Sequence, residues 1–146
     1  MQISRTSKYY FKYSCQEVYE IVTAESQQKN VTYAPVNTDN PREMVTQTGQ
    51  MVAQVTDMTP AISCAYELFA PKFDVSWQAS FSEVQNECQM IMTETYKFHK
   101  GAVIQYFLAL LFLKQKQQHK AYFDTIDSQL RLREFRQNSK QSLRDL

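Results

Sequence analysis

From Gly101 onward the apolar pattern is helical, whereas most of the chain before it carries the patterns of strands. That single change restricts the chain to folds in which a long terminal helix meets a sheet made earlier. Ile104, Leu108, Leu111, Gln115, His119, Tyr122, Ile126 and Leu130 step by three or four residues and trace one helical stripe. No proline follows Pro71 to interrupt it. The helix is expected to fray past Phe135. Residues 1–136 then form a single domain, and residues 137–146 a polar tail expected to be mobile.

The sheet is read from period-two alternation. Ile3, Arg5, Ser7, Tyr9, Phe11 and Tyr13 share one parity, with Lys8 and Lys12 on the other. Phe73, Val75, Trp77, Ala79 and Phe81 alternate with polar residues. After a turn over Glu83 to Asn86, Cys88, Met90, Met92, Glu94, Tyr96 and Phe98 follow on one parity. Ile62, Cys64, Tyr66 and Leu68 belong to an earlier strand, between the breaks at Pro60 and Pro71. Val45–Gln47 and Met51–Met58 are read as two more strands joined near Thr48–Gly49. Val31, Tyr33 and Val36 offer only a weak strand, among turn signals at Pro35 and Pro41.

One short helix precedes these strands. Ser14 and Glu17 have the spacing of a capping box, and Val18, Ile21 and Val22 recur behind it, placing a helix from Cys15 to about Ser26. The order is strand, helix, antiparallel strands and long helix. This describes an α+β helix-grip architecture, in which a curved antiparallel sheet wraps a terminal helix and leaves room for a cavity.

Several function classes fall away on composition. The formal net charge is +1 over 146 residues, without the strong basic excess of a nucleic-acid binder. With only Gly49 and Gly101, no glycine-rich phosphate loop can be written. Cys15, Cys64 and Cys88 are not paired as zinc ligands, and they read as reduced core residues. No metal or cofactor is expected. The N-terminus lacks the apolar core of a signal peptide, so a cytoplasmic location is expected. The run Ala102–Leu113 is shorter than the ~20 residues of a spanning helix.

A family resemblance adds to this reading. The stretch Phe11 to Tyr19, with Tyr13, Ser14 and Glu17 opening the helix, resembles START-like (SRPBCC) proteins. That superfamily includes polyketide cyclases, lipid-transfer domains and relatives of the birch-pollen allergen. Thr48–Gly49, Pro60 and the strand Thr93 to Phe98 are similar to an uncharacterised START-like family of Gram-positive bacteria. The resemblance implies a helix-grip fold and binding of a hydrophobic small molecule or lipid. Two further readings stand beside it. One is a protein-interaction or self-associating regulatory module with a filled cavity. The other is a cyclase-like or hydrolase-like enzyme using Glu94 or His119.

The candidate cavity residues are Tyr66, Trp77, Met90, Met92, Glu94, Tyr96, Leu108, Leu111, Gln115 and His119. Aromatic and methionine side chains suit an adaptable apolar pocket, and a few polar groups inside it would orient a ligand. Taken singly, Tyr66, Trp77, Met90, Met92 and Tyr96 read better as plain core; Glu94 reads also as a bulge or sheet-rim residue, and His119 as part of a solvated helix turn. A second apolar stripe, Val103, Tyr106, Leu110 and Leu113, points away from the first and is read as a homodimer contact. From Lys114 onward there are eight basic and four acidic residues, the ordinary pattern of a solvated helix face. Neither nucleic acid nor a membrane is expected as a partner.

Overall fold

The computed structural model describes residues 2–25, 31–35, 39–99 and 104–144, and for 25 and 104–113 the backbone alone. Its elements are β1 (Gln2–Phe11), α1 (Cys15–Glu25), β2 (Thr32–Tyr33), α2 (Pro41–Thr48), β3 (Val52–Thr59), β4 (Ser63–Phe69), β5 (Phe73–Val84), β6 (Glu87–Phe98) and α3 (Ile104–Arg144). One six-stranded sheet runs in the order β1-β6-β5-β4-β3-β2. All neighbours are antiparallel except β2, which joins β3 in parallel. This is the helix-grip arrangement.

Local chemistry explains the elements that position the site. The capping box closes as its spacing predicts: the Glu17 amide donates to Ser14 Oγ at 3.2 Å, and the Ser14 amide donates to Glu17 Oε2 at 3.2 Å. The strands β5 and β6 pair without interruption from Phe73↔Phe98 to Val84↔Glu87. Gln85 and Asn86 alone connect them, with φ of 52° and 67°, the left-handed conformations of a two-residue hairpin turn. This turn is tighter than the sequence expectation of Glu83 to Asn86.

Alternation on β1, β5 and β6 places Phe11, Trp77, Ala79, Phe81, Cys88, Met90 and Met92 on one buried face. Val18, Tyr19 and Val22 of α1 and Phe123, Ile126 and Leu130 of α3 complete that core. Cys15, Cys64 and Cys88 are buried free thiols, as the sequence reading expected. Burial pushes the Cys64 thiol up to about 12.

One strand expectation is overturned. Val45–Gln47 is not a strand but the middle of α2. Pro41 begins that helix, where its missing N–H costs nothing, and Gly49 ends it in the left-handed conformation at φ 68°. Val45 turns inward against Ala34 and Val52 in a second small cluster. Arg42 of α2 donates to the Ala70 carbonyl at 3.1 Å and faces Asp74 at 3.4 Å. Asp74 also holds His99 at 2.9 Å. This polar latch fastens α2 to the start of β5.

The terminal helix α3 continues through Arg144, past Phe135 where fraying was expected. Val103, and the side chains of Tyr106, Leu108, Leu110, Leu111 and Leu113, lie outside the described residues. The expected dimer contact and two of the expected cavity residues therefore fall there as well.

Candidate functional site

Four polar side chains meet on the inner face of the sheet where α3 crosses β1 and β6. Gln115 and His119 are one helical turn apart and therefore project from the same side of α3. They are only 2% and 4% exposed. Ser7 faces them from β1 and Glu94 from β6. Strand register sets this meeting: Arg5 lies opposite Glu94 and Ser7 opposite Met92, so Ser7 and Glu94 sit on the same face of neighbouring strands.

The contacts form a chain. Ser7 Oγ lies 2.6 Å from His119 Nδ1. His119 Nε2 lies 3.5 Å from Glu94 Oε1, close enough for an ion pair when the ring is protonated. Gln115 Nε2 donates to Glu94 Oε1 at 3.2 Å and to the Glu94 carbonyl at 3.3 Å. Among the described residues three buried side-chain atoms lack a hydrogen-bond partner: Gln115 Oε1 and His119 Nε2 here, and Asp74 Oδ1 at the latch to α2.

Aromatic rings surround the chain. Trp77 is opposite Glu94 in the sheet, and Tyr66 is opposite Trp77. The Tyr66 and Trp77 rings stack at 5.1 Å, and Tyr122 meets Trp77 edge-on at 6.3 Å. Burial, reinforced by the Glu94 charge, pushes the Tyr66 phenol up to about 12 and raises the Tyr96 phenol as well. Both phenols are therefore neutral donors at ordinary pH. Burial alone would raise the Glu94 carboxyl. The contacts from His119 and Gln115, the His119 charge and the Tyr96 hydroxyl outweigh it and hold Glu94 below the ordinary value. The site thus combines a carboxylate, an imidazole, an amide and a hydroxyl within an aromatic wall.

Of the sequence-predicted residues, Tyr66, Trp77, Glu94, Tyr96, Gln115 and His119 come together here. Met92 lies beside them, opposite Ser7 and Ala79. Met90 sits farther along, opposite Phe81 and Tyr9, fully buried in the core beneath α1. Sequence reasoning placed Ser7 on the inner parity without assigning it to the site, and it traced Tyr122 on the stripe without doing so. Ser7's inner parity on β1 was the available signal. Its partner, 112 residues away, was not.

The order serine, imidazole, carboxylate is that of a nucleophile, a base and an orienting group. An acyl-transfer site also needs donors for an oxyanion, and the Gln115 amide, which could serve as one, donates to Glu94 instead. Among the described residues no three His, Cys, Asp or Glu side chains converge as metal ligands. A concavity of about 390 Å³ lies on the opposite face of the sheet, with Asp57, Ser63, Gln78, Ser80 and Thr93 among its lining residues. There Asp57 accepts from both Ser63 and Thr59, so its carboxylate is already satisfied.

No family model matches the sequence, and no curated protein matches it. The narrower resemblance to a Gram-positive family therefore rests on its motifs alone. Solved structures do share the fold. The Mll3558 protein from Rhizobium loti superposes with a TM-score of 0.58 at 10% identity, over 88% of this chain and 96% of that one. Ara h 8.0201 gives a TM-score of 0.58 at 7% identity, over 89% and 98%. The di-domain ARO/CYC StfQ from the steffimycin biosynthetic pathway gives 0.51 at 8% identity, over 89% of this chain and 50% of that one. At such identities the likeness is one of fold.

Proposed function

We propose that this chain is a START-like protein that binds a hydrophobic small molecule or lipid between the inner face of the sheet and α3. The ligand's polar end is held by Glu94, His119, Gln115 and Ser7, and its apolar body by Tyr66, Trp77 and Tyr96. One observation carries the reading: among the described residues Gln115 Oε1 is buried without a hydrogen-bond partner, beside a His119 Nε2 whose one approach is the 3.5 Å contact with Glu94. Leaving such an atom unsatisfied costs about 1–3 kcal/mol, so a fold that keeps one gains by receiving a polar group there. The fold is shared with Ara h 8.0201 and with an ARO/CYC protein of a biosynthetic pathway, and the latter supports a small molecule as the class of ligand.

The test uses the protein purified from its own host. Native mass spectrometry is expected to show a retained small molecule that organic solvent releases. Trp77 is the chain's single tryptophan and stands in the site. Its emission is expected to change saturably as the stripped protein is titrated with the released molecule. A single bare mass, with no change in Trp77 emission on titration with fatty acids, long-chain alcohols or aromatic polyketides, would overturn the reading.

A further inference from the structure

The end of α3 carries a second apolar face that the domain does not use. At ~1.5 Å per residue its 41 residues extend about 60 Å. A 12-residue strand such as β5 spans only about 40 Å. Beyond Leu130, the last fully buried position, the helix therefore outruns the sheet it covers, and the residues from Glu134 to Arg144 are exposed. Arg133 reaches back to Glu20 at 2.6 Å and Glu134 accepts from Tyr13 at 2.9 Å, fixing the rotation of the helix as it leaves the domain.

With that rotation fixed, successive residues turn by about 100° around the axis. Phe123, Ile126 and Leu130 point into the core. Leu132, Phe135 and Leu143 point roughly the opposite way and are 49%, 69% and 71% exposed. Ser128, Ser139 and Ser142 fill the gaps of this outward stripe. Arg136 and Lys140 flank it on one side, and Arg131, which pairs with Asp127, on the other. Between Arg131 and Arg144 there are five basic residues and one acidic residue, and that one, Glu134, is turned back to Tyr13. Among the described residues Arg136, Lys140 and Arg144 make no ion pair.

We propose that this outward face docks reversibly on an anionic lipid bilayer. Leu132, Phe135 and Leu143 enter the boundary of the acyl chains. Arg136 and Lys140 lie over the stripe's edge, where their stems bury and their charged ends meet lipid phosphates. The charge pattern selects this partner over a second copy of the chain, which would bring two equally basic faces together. Beyond Leu130, a narrow apolar line with cations beside it and, among the described residues, no carboxylate on its outward side matches a planar anionic surface. Read from the sequence, the same charges were a solvated face and no membrane contact was expected; the overhang and the rotation of α3 change that reading. Three apolar side chains and two cations make a weak anchor, suited to exchange with the membrane rather than residence on it.

The experiment is flotation of the full chain with phosphatidylcholine vesicles, alone and mixed with phosphatidylglycerol. Two cations near an anionic surface predict binding to the mixed vesicles on the order of 30-fold tighter than to the neutral ones. Raised salt should remove most of that difference. The double substitution Phe135→Glu with Leu143→Glu should cut binding at least tenfold, as should Arg136→Gln with Lys140→Gln, each with unchanged circular dichroism because all four side chains are exposed. Equal binding to both vesicles, no binding, or variants that float like wild type would overturn the proposal. So would salt-sensitive binding to polyglutamate that ignores the Phe135 and Leu143 changes, which would assign the face to an acidic protein. A dimer in vesicle-free sedimentation that the apolar double variant dissolves would assign it to self-association.

Discussion

Replacing Gln115 with leucine separates a binding group from a structural one. The side chain is 2% exposed, and leucine is close to it in size, so no large cavity opens. Two contacts are lost, the donations to the Glu94 carboxylate at 3.2 Å and to its carbonyl at 3.3 Å. Both are long for N–H···O bonds, and together they are worth about 1–3 kcal/mol. One unfavourable feature is lost as well: the unsatisfied Oε1, which costs about 1–3 kcal/mol. Burying leucine in place of an amide adds a further favourable term. These effects oppose one another, so Gln115→Leu should change the stability of the empty protein by no more than about 1 kcal/mol in either direction. A buried residue that serves the fold behaves otherwise: Met92→Ala, in the same layer, should cost about 2–5 kcal/mol. Urea denaturation at neutral pH measures both, with unchanged slopes required for the comparison. The ligand released from the native protein should meanwhile bind Gln115→Leu at least tenfold more weakly, read from Trp77 emission. A stability loss above about 2 kcal/mol with unchanged ligand affinity would show that the polar chain is scaffold, and the reasoning from unsatisfied atoms would fail.

Trp77→Ala should cost about 3–5 kcal/mol, since the ring is buried and stacked on Tyr66; a denaturant midpoint shift worth less than about 1 kcal/mol would mean the ring contributes little to the core. Ser14→Ala removes the capping acceptor of α1 and should cost about 0.5–2 kcal/mol while leaving ligand affinity unchanged, because α1 lies outside the polar site. Glu94 has a lower pKa folded than unfolded, so its stabilising contribution is complete above the ordinary value of 4.5 and is lost as pH falls through the depressed folded value. The acid limb of a stability–pH curve should therefore be shallower in Glu94→Gln than in wild type, and identical slopes would contradict the assigned contacts.

The features legible in the chain are those that a short window contains. The capping box needs only Ser14 and Glu17. The inward parity of Trp77 needs only its neighbours two residues away on β5, and the stripe through Gln115, His119, Ile126 and Leu130 repeats within one helix. Local signals fail where they compete. Val45 and Thr46 favour a strand, but Pro41 and Gly49 bound a helix there, and burial of Val45 against Val52 decides the matter. The resemblance to START-like proteins pointed to the same fold and implied a ligand, yet it named no atom that would hold one.

The candidate site belongs to tertiary structure. Parity put Ser7 and Glu94 on inner faces, but only the pairing of β1 with β6 set them on the same side of adjacent strands. Only the path of α3 over them brought His119 within 2.6 Å of Ser7. Whether a buried amide oxygen is satisfied depends on every atom around it, which no periodicity encodes. The same holds for the end of α3. Its composition from Arg131 to Arg144 was always basic and sparsely apolar. Which side faced outward, and that no described residue covers it, followed from where the sheet stops and from the contacts that tie Arg133 and Glu134 back to α1 and Tyr13.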